Sequence, residues 1–174
     1  LNSTRSTDFI TPKNAASRRY RDAVLALSGK YPFARPLVNS GRLSTPTPYV
    51  ESPLNTPDAE EWSGRMAPGT CAADAPVRSG GQAGWLLEHL GEGFTLLVSG
   101  PEAEPVTCGA FTASVLRVGQ DIEDSEGKIA TRYDLCDGAV YLIRPDQHIA
   151  ARWRSFDPEA IRAAILRATA GTEA

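Results

Sequence analysis

The sequence predicts an α/β fold, in which a mixed sheet flanked by helices follows an N-terminal helix and an extended proline-rich connector. Three observations predict this class. Apolar residues recur at helical spacing near residue 20, five prolines lie between residues 36 and 57, and short apolar runs alternate with helical segments beyond residue 66. With 174 residues, 41% of them hydrophobic, the chain is long enough for a domain with a substantial core.

The N-terminal helix is expected to begin at Asn14, whose side chain can cap it, and to end near Ser28, just before Gly29. Its apolar face consists of Tyr20, Val24 and Leu27. Residues 1–50 carry eight Lys/Arg and two Asp/Glu, a net charge of +6, whereas residues 51–174 carry −9. A basic helix that docks on an acidic neighbouring domain explains this asymmetry better than nucleic-acid binding, because the arginines lack interleaved aromatic residues.

The proline-rich stretch, residues 36–57, predicts an extended connector that runs over a surface. We therefore divide the chain into residues 1–60, the first helix with its connector, and residues 61–174, a compact α/β domain. The chain begins with Leu1 rather than methionine, and we expect it to be a piece of a longer polypeptide.

The compact domain is expected to alternate helices and strands. The predicted elements are a helix at 82–90, a strand at 94–98, short helices at 105–110 and 125–133, and a strand at 114–118. A hairpin with strands at 139–143 and 148–153 follows, and Asp157 and Pro158 start the last helix. This order of elements is the topology of a thioredoxin-like domain.

The hairpin segment carries Arg144, Asp146 and His148 within five residues, which makes it the first candidate for an active site. The sequence RPDQ fits a type I turn, and in the second strand apolar residues alternate with polar ones. No nucleophile motif and no second histidine at ligand spacing accompany His148. We therefore interpret the cluster as a hairpin with a solvated or structurally paired histidine, and assign no catalytic residue here.

Three other segments have structural explanations. His89 falls in the last turn of its predicted helix, where the helix dipole favours a cation. The acidic run 121–126 is interpreted as a solvated helix start rather than a metal site. Gly80 and Gly81 are interpreted as a turn, because neither dinucleotide-binding nor P-loop spacing is present.

The three cysteines, Cys71, Cys108 and Cys136, are far apart in sequence, with no C-x-x-C and no zinc spacing. We expect three reduced thiols in a cytoplasmic protein, and neither a bound metal nor a dithiol centre. The sequence has no apolar run of eighteen or more residues and no charged-then-apolar leader pattern, so we expect neither a membrane span nor a secretory signal. A single-cysteine thiol enzyme stays open, and it requires a depressed pKa at one of the three thiols.

Several motifs resemble one enzyme family. PGTCAADAPV at 68–77, LLEHLGEGFTLL at 86–97 and RYDLCDGAVYLIRPDQHIAARW at 132–153 resemble the C-terminal domain of FAD-dependent aromatic-ring hydroxylases, the phenol-hydroxylase-like flavoprotein monooxygenases. STDFITP, RDAVLAL and ARPLVNSGRLSTPTPY resemble the segment that leads from the flavin and substrate domains into that domain. The resemblance spans nearly the whole chain.

The resemblance implies a thioredoxin-like fold and a parent protein that hydroxylates an aromatic compound with FAD, NAD(P)H and O₂. It implies no cofactor on this chain, since the glycine-rich dinucleotide fingerprint is missing. It also implies no dithiol activity. The sequence has SGPE at 99–102, where redox thioredoxins carry C-x-x-C, and CDG at 136–138, where they carry a cis-proline.

Two main functions follow. The first is a non-catalytic structural or subunit-contact domain of a flavin monooxygenase, whose partner is the FAD/substrate domain of the same polypeptide and which leaves homodimerisation open. The second is a self-standing, redox-inactive thioredoxin-like binding module without an uncovered apolar helix face. Four aromatic residues are either interface anchors or covers of the domain's own core, namely Tyr31, Phe33, Tyr49 and Trp62.

Overall fold

The computed structural model describes residues 7–38, 46–100 and 102–171. It divides into two compact units, which we call unit 1 (Leu1–Pro46) and unit 2 (Thr47–Ala174). Part of the connector, residues 39–45, and the first motif residues before Thr7 lie outside the described residues.

Unit 1 is helical. Helix α1 spans Ala15–Lys30, a 3₁₀ turn spans Pro32–Ala34, and the short helix α2 spans Arg35–Val38. The predicted cap is confirmed, because the side chain of Asn14 accepts a hydrogen bond from the backbone of Ser17 at 2.8 Å. The predicted end is wrong by two residues: Gly29 lies inside the helix, where it has open space on its Cβ side and costs only helix propensity.

Unit 2 contains two sheets. Its strands are β1 (Pro76–Ser79), β2 (Gln82–Trp85), β3 (Phe94–Ser99), β4 (Val106–Cys108), β5 (Phe111–Val118), β6 (Glu123–Asp124), β7 (Val140–Ile143) and β8 (Ile149–Trp153). Helix α3 spans Lys128–Tyr133 and helix α4 spans Pro158–Ala168. The larger sheet has the order β4-β5-β3-β7-β8 and the smaller one β2-β1-β6. In the larger sheet β3 and β5 are parallel and the other pairs are antiparallel.

The larger sheet is covered on both faces, which places the core on either side of it. One face packs Leu97, Tyr141, Ile143 and Ile149 against Leu86 and Ile129. The other face packs Leu96, Val98 and Leu142 against Ile161 and Ile165 of α4. Along β3 and β7, successive side chains point to opposite faces of the sheet, and both faces are buried. The predicted polar face of the last strand is therefore wrong, since Ala150 and Arg152 are both buried.

Two predicted helices are wrong. Residues 82–90 form strand β2 and a 3₁₀ turn, Leu86–His89, because Gly80 and Gly81 adopt φ of 57° and 82° and fold β2 back onto β1. Within the predicted helix at 105–110, residues 106–108 form strand β4, which pairs with β5. The remaining predicted elements of unit 2 are confirmed, with β5 starting three residues earlier than expected and α3 starting three residues later.

An irregular segment that we call the strap, residues 47–75, precedes β1 and lies along β8. The backbone N–H of Gly69 donates to Ile149 at 2.8 Å, Ile149 donates to Thr70 at 2.9 Å, and Thr56 donates to Ala150 at 2.9 Å. These bonds pair the edge of β8. Residues 47–60 thus fold with unit 2. The division of the chain at residue 60, with residues 1–60 as the tail of a flavin/substrate domain and its connector, stays a prediction.

Candidate functional site

The hairpin loop pairs its own polar groups. The guanidinium of Arg144 binds the carboxylate of Asp146 at 2.6 Å, and the same carboxylate accepts the backbone N–H of His148 at 3.2 Å. Gln147 adopts φ of 62°, so the loop is a type I turn followed by a left-handed residue. The prediction of a hairpin is confirmed, and its three charged or titratable side chains serve the turn.

His148 also contacts residues of the strap. Its ring lies 5.4 Å from the ring of Tyr49 in the strap, and its Nδ1 is 3.2 Å from the backbone carbonyl of Asp146. Cys71, which lies in the strap, forms an isolated antiparallel β-bridge with His148. Burial raises the pKa of the Cys71 thiol, and the nearby charge of Asp146 raises it further. A Cys–His dyad needs the opposite shift, toward a thiolate.

The main polar cluster of unit 2 lies beside this hairpin and centres on Trp62. The guanidinium of Arg152 lies 4.7 Å from the centre of the Trp62 ring, and that of Arg154 lies 3.7 Å from it. Both distances are those of cation–π contacts. Arg152 lies in β8 and Arg154 lies one residue beyond its end, and both guanidinium groups reach the same Trp62 ring. We call Trp62, Arg152, Arg154, Asp58 and Asp134 the strap clamp.

Each arginine of the strap clamp has its own carboxylate. Arg152 binds Asp58 through two hydrogen bonds, Nε to Oδ1 at 2.8 Å and Nη2 to Oδ2 at 2.5 Å. Arg154 binds Asp134 at 2.6 Å and also donates to the backbone carbonyl of Glu61 at 2.7 Å. The bidentate geometry holds the Asp58 end of the strap against the sheet.

The electrostatics of the strap clamp follow from these pairs. Burial by itself lowers the pKa of Arg152, but hydrogen bonds to Asp58 and Tyr141 outweigh it and raise that pKa overall. The hydrogen bond from Arg154 lowers the pKa of Asp134 to about 2, with further help from Ser63. Arg152, Arg154 and Asp134 are therefore fully charged at neutral pH.

Two tyrosines form the floor beneath Trp62. The ring of Tyr141 lies 5.3 Å from the Trp62 ring and 5.2 Å from the Tyr133 ring, in edge-to-face geometry. Tyr141 donates its hydroxyl hydrogen to the backbone carbonyl of Tyr133, and Tyr133 donates to Ala73 at 2.8 Å. Burial raises the pKa of both hydroxyls. Both phenol groups therefore stay protonated at neutral pH.

The strap clamp was missed as a unit by sequence reasoning, which named Trp62 only as an interface anchor or a core cover. Trp62 packs against the core of unit 2, so for this residue the interpretation as a cover of the domain's own core is correct. A signal for the clamp existed: the acidic stretch 58–61 runs into Trp62, and two arginines alternate at 152 and 154. Nothing in the sequence pairs these stretches, because they are 94 residues apart.

A hollow opens where β3 ends, between Ser99 and Gly100, the Asp137–Gly138 turn and Phe156. Gly138 donates to the carbonyl of Ser99 at 2.7 Å, which joins the two segments that were compared with redox thioredoxins. The described lining of the hollow carries hydroxyl and carboxylate groups and no thiol. The absence of dithiol activity stays a prediction from the sequence.

The other candidate residues have structural roles. Asp124 accepts the N–H groups of Lys128 and Ala130 at 2.9 Å, so it caps the start of α3. His89 is exposed at the end of a 3₁₀ turn, and the α-helix that was to explain it is absent there. Among the described residues, no group of three His, Cys, Asp or Glu side chains could hold a metal ion. In that same part of the chain, no helix is long and apolar enough to cross a membrane.

Three solved structures similar to this chain are flavin-dependent enzymes. The flavin-dependent monooxygenase PieE, in complex with FAD and substrate, matches 92% of this chain with a TM-score of 0.64 and 20% identity. The substrate-free rebeccamycin biosynthetic enzyme RebC matches 92% with a TM-score of 0.54 and 20% identity. Aklavinone-11 hydroxylase, in complex with FAD and aklavinone, matches 67% with a TM-score of 0.52 and 18% identity.

These matches show the fold. The chain spans 31% of the PieE chain, 29% of the RebC chain and 25% of the aklavinone-11 hydroxylase chain. No protein-family model and no curated protein matches the sequence. The chain thus has the fold of one portion of flavin-dependent monooxygenase structures.

Proposed function

We propose that this chain is part of an FAD-dependent monooxygenase that hydroxylates an aromatic compound with NAD(P)H and O₂. The observation that carries the proposal is the match to PieE over 92% of the chain at a TM-score of 0.64. Unit 2 makes up about three quarters of the chain, so this match extends into unit 1. An unrelated thioredoxin-like module gives no reason for unit 1 to match as well.

Within that protein we assign unit 2 to a thioredoxin-like C-terminal domain. The order β5-β3-β7-β8, with β3 and β5 parallel and a final helix after β8, supports the assignment. The chain departs from the usual pattern between β3 and β5, where strand β4 replaces a crossover helix. The cytoplasm is the proposed location, in keeping with three free thiols.

The proposed role of this chain is structural contact rather than catalysis. The charged groups of the strap clamp and of the hairpin loop are paired with each other, so they serve the fold first. The proposed partner is the FAD/substrate domain of the same polypeptide. The alternative, a self-standing redox-inactive module, fits less well because Tyr20 and Leu27 of the first helix are 62% and 40% exposed.

The described residues do not fit FAD. A dinucleotide pyrophosphate needs a glycine-rich turn that opens a helix, whereas Gly80 and Gly81 lie in the turn between strands β1 and β2. Gly127 does lie between strand β6 and helix α3, but it is a single glycine beside the carboxylates of Asp124 and Glu126, which repel a pyrophosphate. We therefore assign FAD and NAD(P)H binding to other parts of the proposed parent protein.

The test is the mass of the native polypeptide that carries this sequence. Immunoprecipitation from the source cells, followed by intact mass spectrometry and flavin analysis, is expected to give a chain much longer than 18.6 kDa with FAD bound. A native product of about 18.6 kDa without flavin would instead support the self-standing module. The purified 174-residue chain should bind no added FAD, which absorption near 450 nm can check.

A further inference from the structure

Unit 1 exposes an apolar face that its own fold leaves largely uncovered, although the ring of Phe9 lies edge-on to Tyr20 at 6.4 Å. Tyr20, Leu27, Tyr31, Phe33 and Leu37 are each at least 40% exposed, and Phe33 reaches 74%. Tyr20 and Leu27 lie seven residues apart on α1, Tyr31 directly follows the last residue of that helix, and the Tyr31 ring lies 5.8 Å from the Phe33 ring. We call these five residues the unit 1 face.

The side of α1 that faces into unit 1 is mostly polar. Ser17, Arg21 and Ser28 are half-buried at helical spacing, and among the described residues of unit 1 only Val24 and Ala34 are buried hydrophobics. A helix of this length with so small a core is marginally stable alone. The unit 1 face is therefore apolar area that a partner could bury and so stabilise unit 1.

The surroundings of this face define the partner's chemistry. Residues 7–38 carry six Lys/Arg and two Asp/Glu, a net charge of +4. Arg18, Arg19 and Lys30 are exposed on α1 beside the apolar residues. A complementary surface has an apolar centre that receives the aromatic rings and a rim of carboxylates.

We propose that the unit 1 face docks on an apolar, acid-rimmed surface of the FAD-binding remainder of the same polypeptide. The proposal rests on the proposed function. This chain matches 31% of the PieE chain, and the match extends into unit 1. If the parent protein has a similar length, most of it lies outside the 174 residues. The comparison therefore favours this remaining part as the surface that the unit 1 face binds.

The experiment uses two polypeptides: this chain, and the flavin-loaded region encoded immediately upstream in the same reading frame of the source genome. Their affinity is measured by titration calorimetry. The triple variant Tyr20→Ser, Leu27→Gln and Phe33→Ser is expected to weaken binding about tenfold or more, since buried aromatic anchors dominate interfaces. Added salt is expected to weaken it further.

The matched control removes apolar groups of similar exposure from unit 2. Trp85 and Leu166 are 51% and 37% exposed, and the variant Trp85→Ser with Leu166→Gln is expected to bind within about twofold of the original chain. Far-UV circular dichroism checks that both variants keep their helices. If the triple variant loses helix, Phe33→Ser alone decides, because Phe33 lies outside α1 and is the most exposed residue of the face.

The outcomes separate the two proposals. If no FAD-binding region is encoded upstream, the proposed function and this inference both fail. If that region binds FAD and this chain, yet the triple variant binds equally well, the docking surface is wrong while the proposed function stands. A dimer of this chain that the triple variant abolishes assigns the face to a second copy. Binding to anionic vesicles that the triple variant abolishes assigns it to a membrane surface. Either result overturns the inference.

Discussion

Unit 1 and unit 2 treat their apolar side chains in opposite ways. Unit 1 contributes eight of the twelve large exposed hydrophobic residues found in the described chain, but only two of its 29 buried ones. Unit 2 has a sheet with two faces, and helices and the strap cover both. In the described part of unit 1, the other helical segments around α1 are short and leave much of its apolar stripe exposed.

Their charges differ in the same manner. In unit 2 the buried guanidinium of Arg152 is held by Asp58, and Arg154 is held by Asp134. In unit 1 the exposed basic residues Arg18 and Arg19 project from α1. Unit 2 thus pairs its buried charges within itself, whereas unit 1 leaves apolar and basic side chains exposed, and the docking proposal rests on that difference.

The largest difference between the units is expected from truncating an apolar side chain. Leu97 is fully buried in β3, and Leu97→Ala should lower the free energy of unfolding by about 2–5 kcal/mol, because it leaves a cavity. Leu27→Ala, on the exposed face of α1, should change it by less than about 0.5 kcal/mol. Urea titration checks this, with tryptophan fluorescence for unit 2, which holds all three tryptophans, and circular dichroism for unit 1. Equal losses in the two variants would contradict the comparison.

Breaking the buried ion pair should have the next largest effect. Arg152→Met leaves Asp58 without its cation and should cost about 2–3 kcal/mol, below the range for fully buried pairs because the Asp58 side chain is 28% exposed. Combining Arg152→Met with Asp58→Asn should cost less than the sum of the single changes, which a double-mutant cycle measures. Arg18→Met in unit 1 is the control and should be close to neutral. Additive single effects would mean that the strap does not depend on this pair.

Two glycine-to-alanine substitutions should change the stability of the fold in opposite directions. A Cβ on Gly69 would meet the backbone oxygen of Tyr49 at 2.4 Å, and φ there is +89°, so Gly69→Ala should cost roughly 1–3 kcal/mol. A Cβ on Gly29 meets nothing within 4 Å in α1, and Gly29→Ala should stabilise that helix by about 0.5–1 kcal/mol. Thermal unfolding followed at 222 nm checks both. A tolerated Gly69→Ala would show that the strap is looser than its hydrogen bonds indicate.

The smallest effect is expected in acid. The pKa of Asp134 is lowered from 3.8 to about 2 in the folded chain by its hydrogen bond with Arg154. A depressed carboxyl pKa stabilises the fold above the unfolded value and loses that contribution as pH falls through the folded value. Between about pH 4 and pH 2 the original chain should therefore lose stability more steeply than Asp134→Asn. Urea midpoints across this range measure the slopes, and parallel slopes would rule out the proposed role of the pair.

Local signals in the sequence predicted several elements correctly. Asp157 caps α4 by accepting the N–H groups of Glu159 and Ala160, as the Asp-Pro start indicates. Asn14 caps α1, and the turn from Arg144 to Gln147 joins β7 and β8. Each of these features depends on hydrogen bonds among residues a few positions apart, so a short stretch of sequence contains the interacting groups.

The tertiary structure decided the rest. Residues 82–85 form a strand because β1 lies beside them and takes up their backbone groups, although their sequence continues into a leucine-rich run that favours a helix. The strap clamp joins Asp58 and Arg152 across 94 residues, and no spacing rule connects such distant side chains. The sequence by itself determined where chain segments begin, turn and end, because those choices are local. Only the folded chain determined which segments pair, because pairing depends on burial and contacts between distant residues.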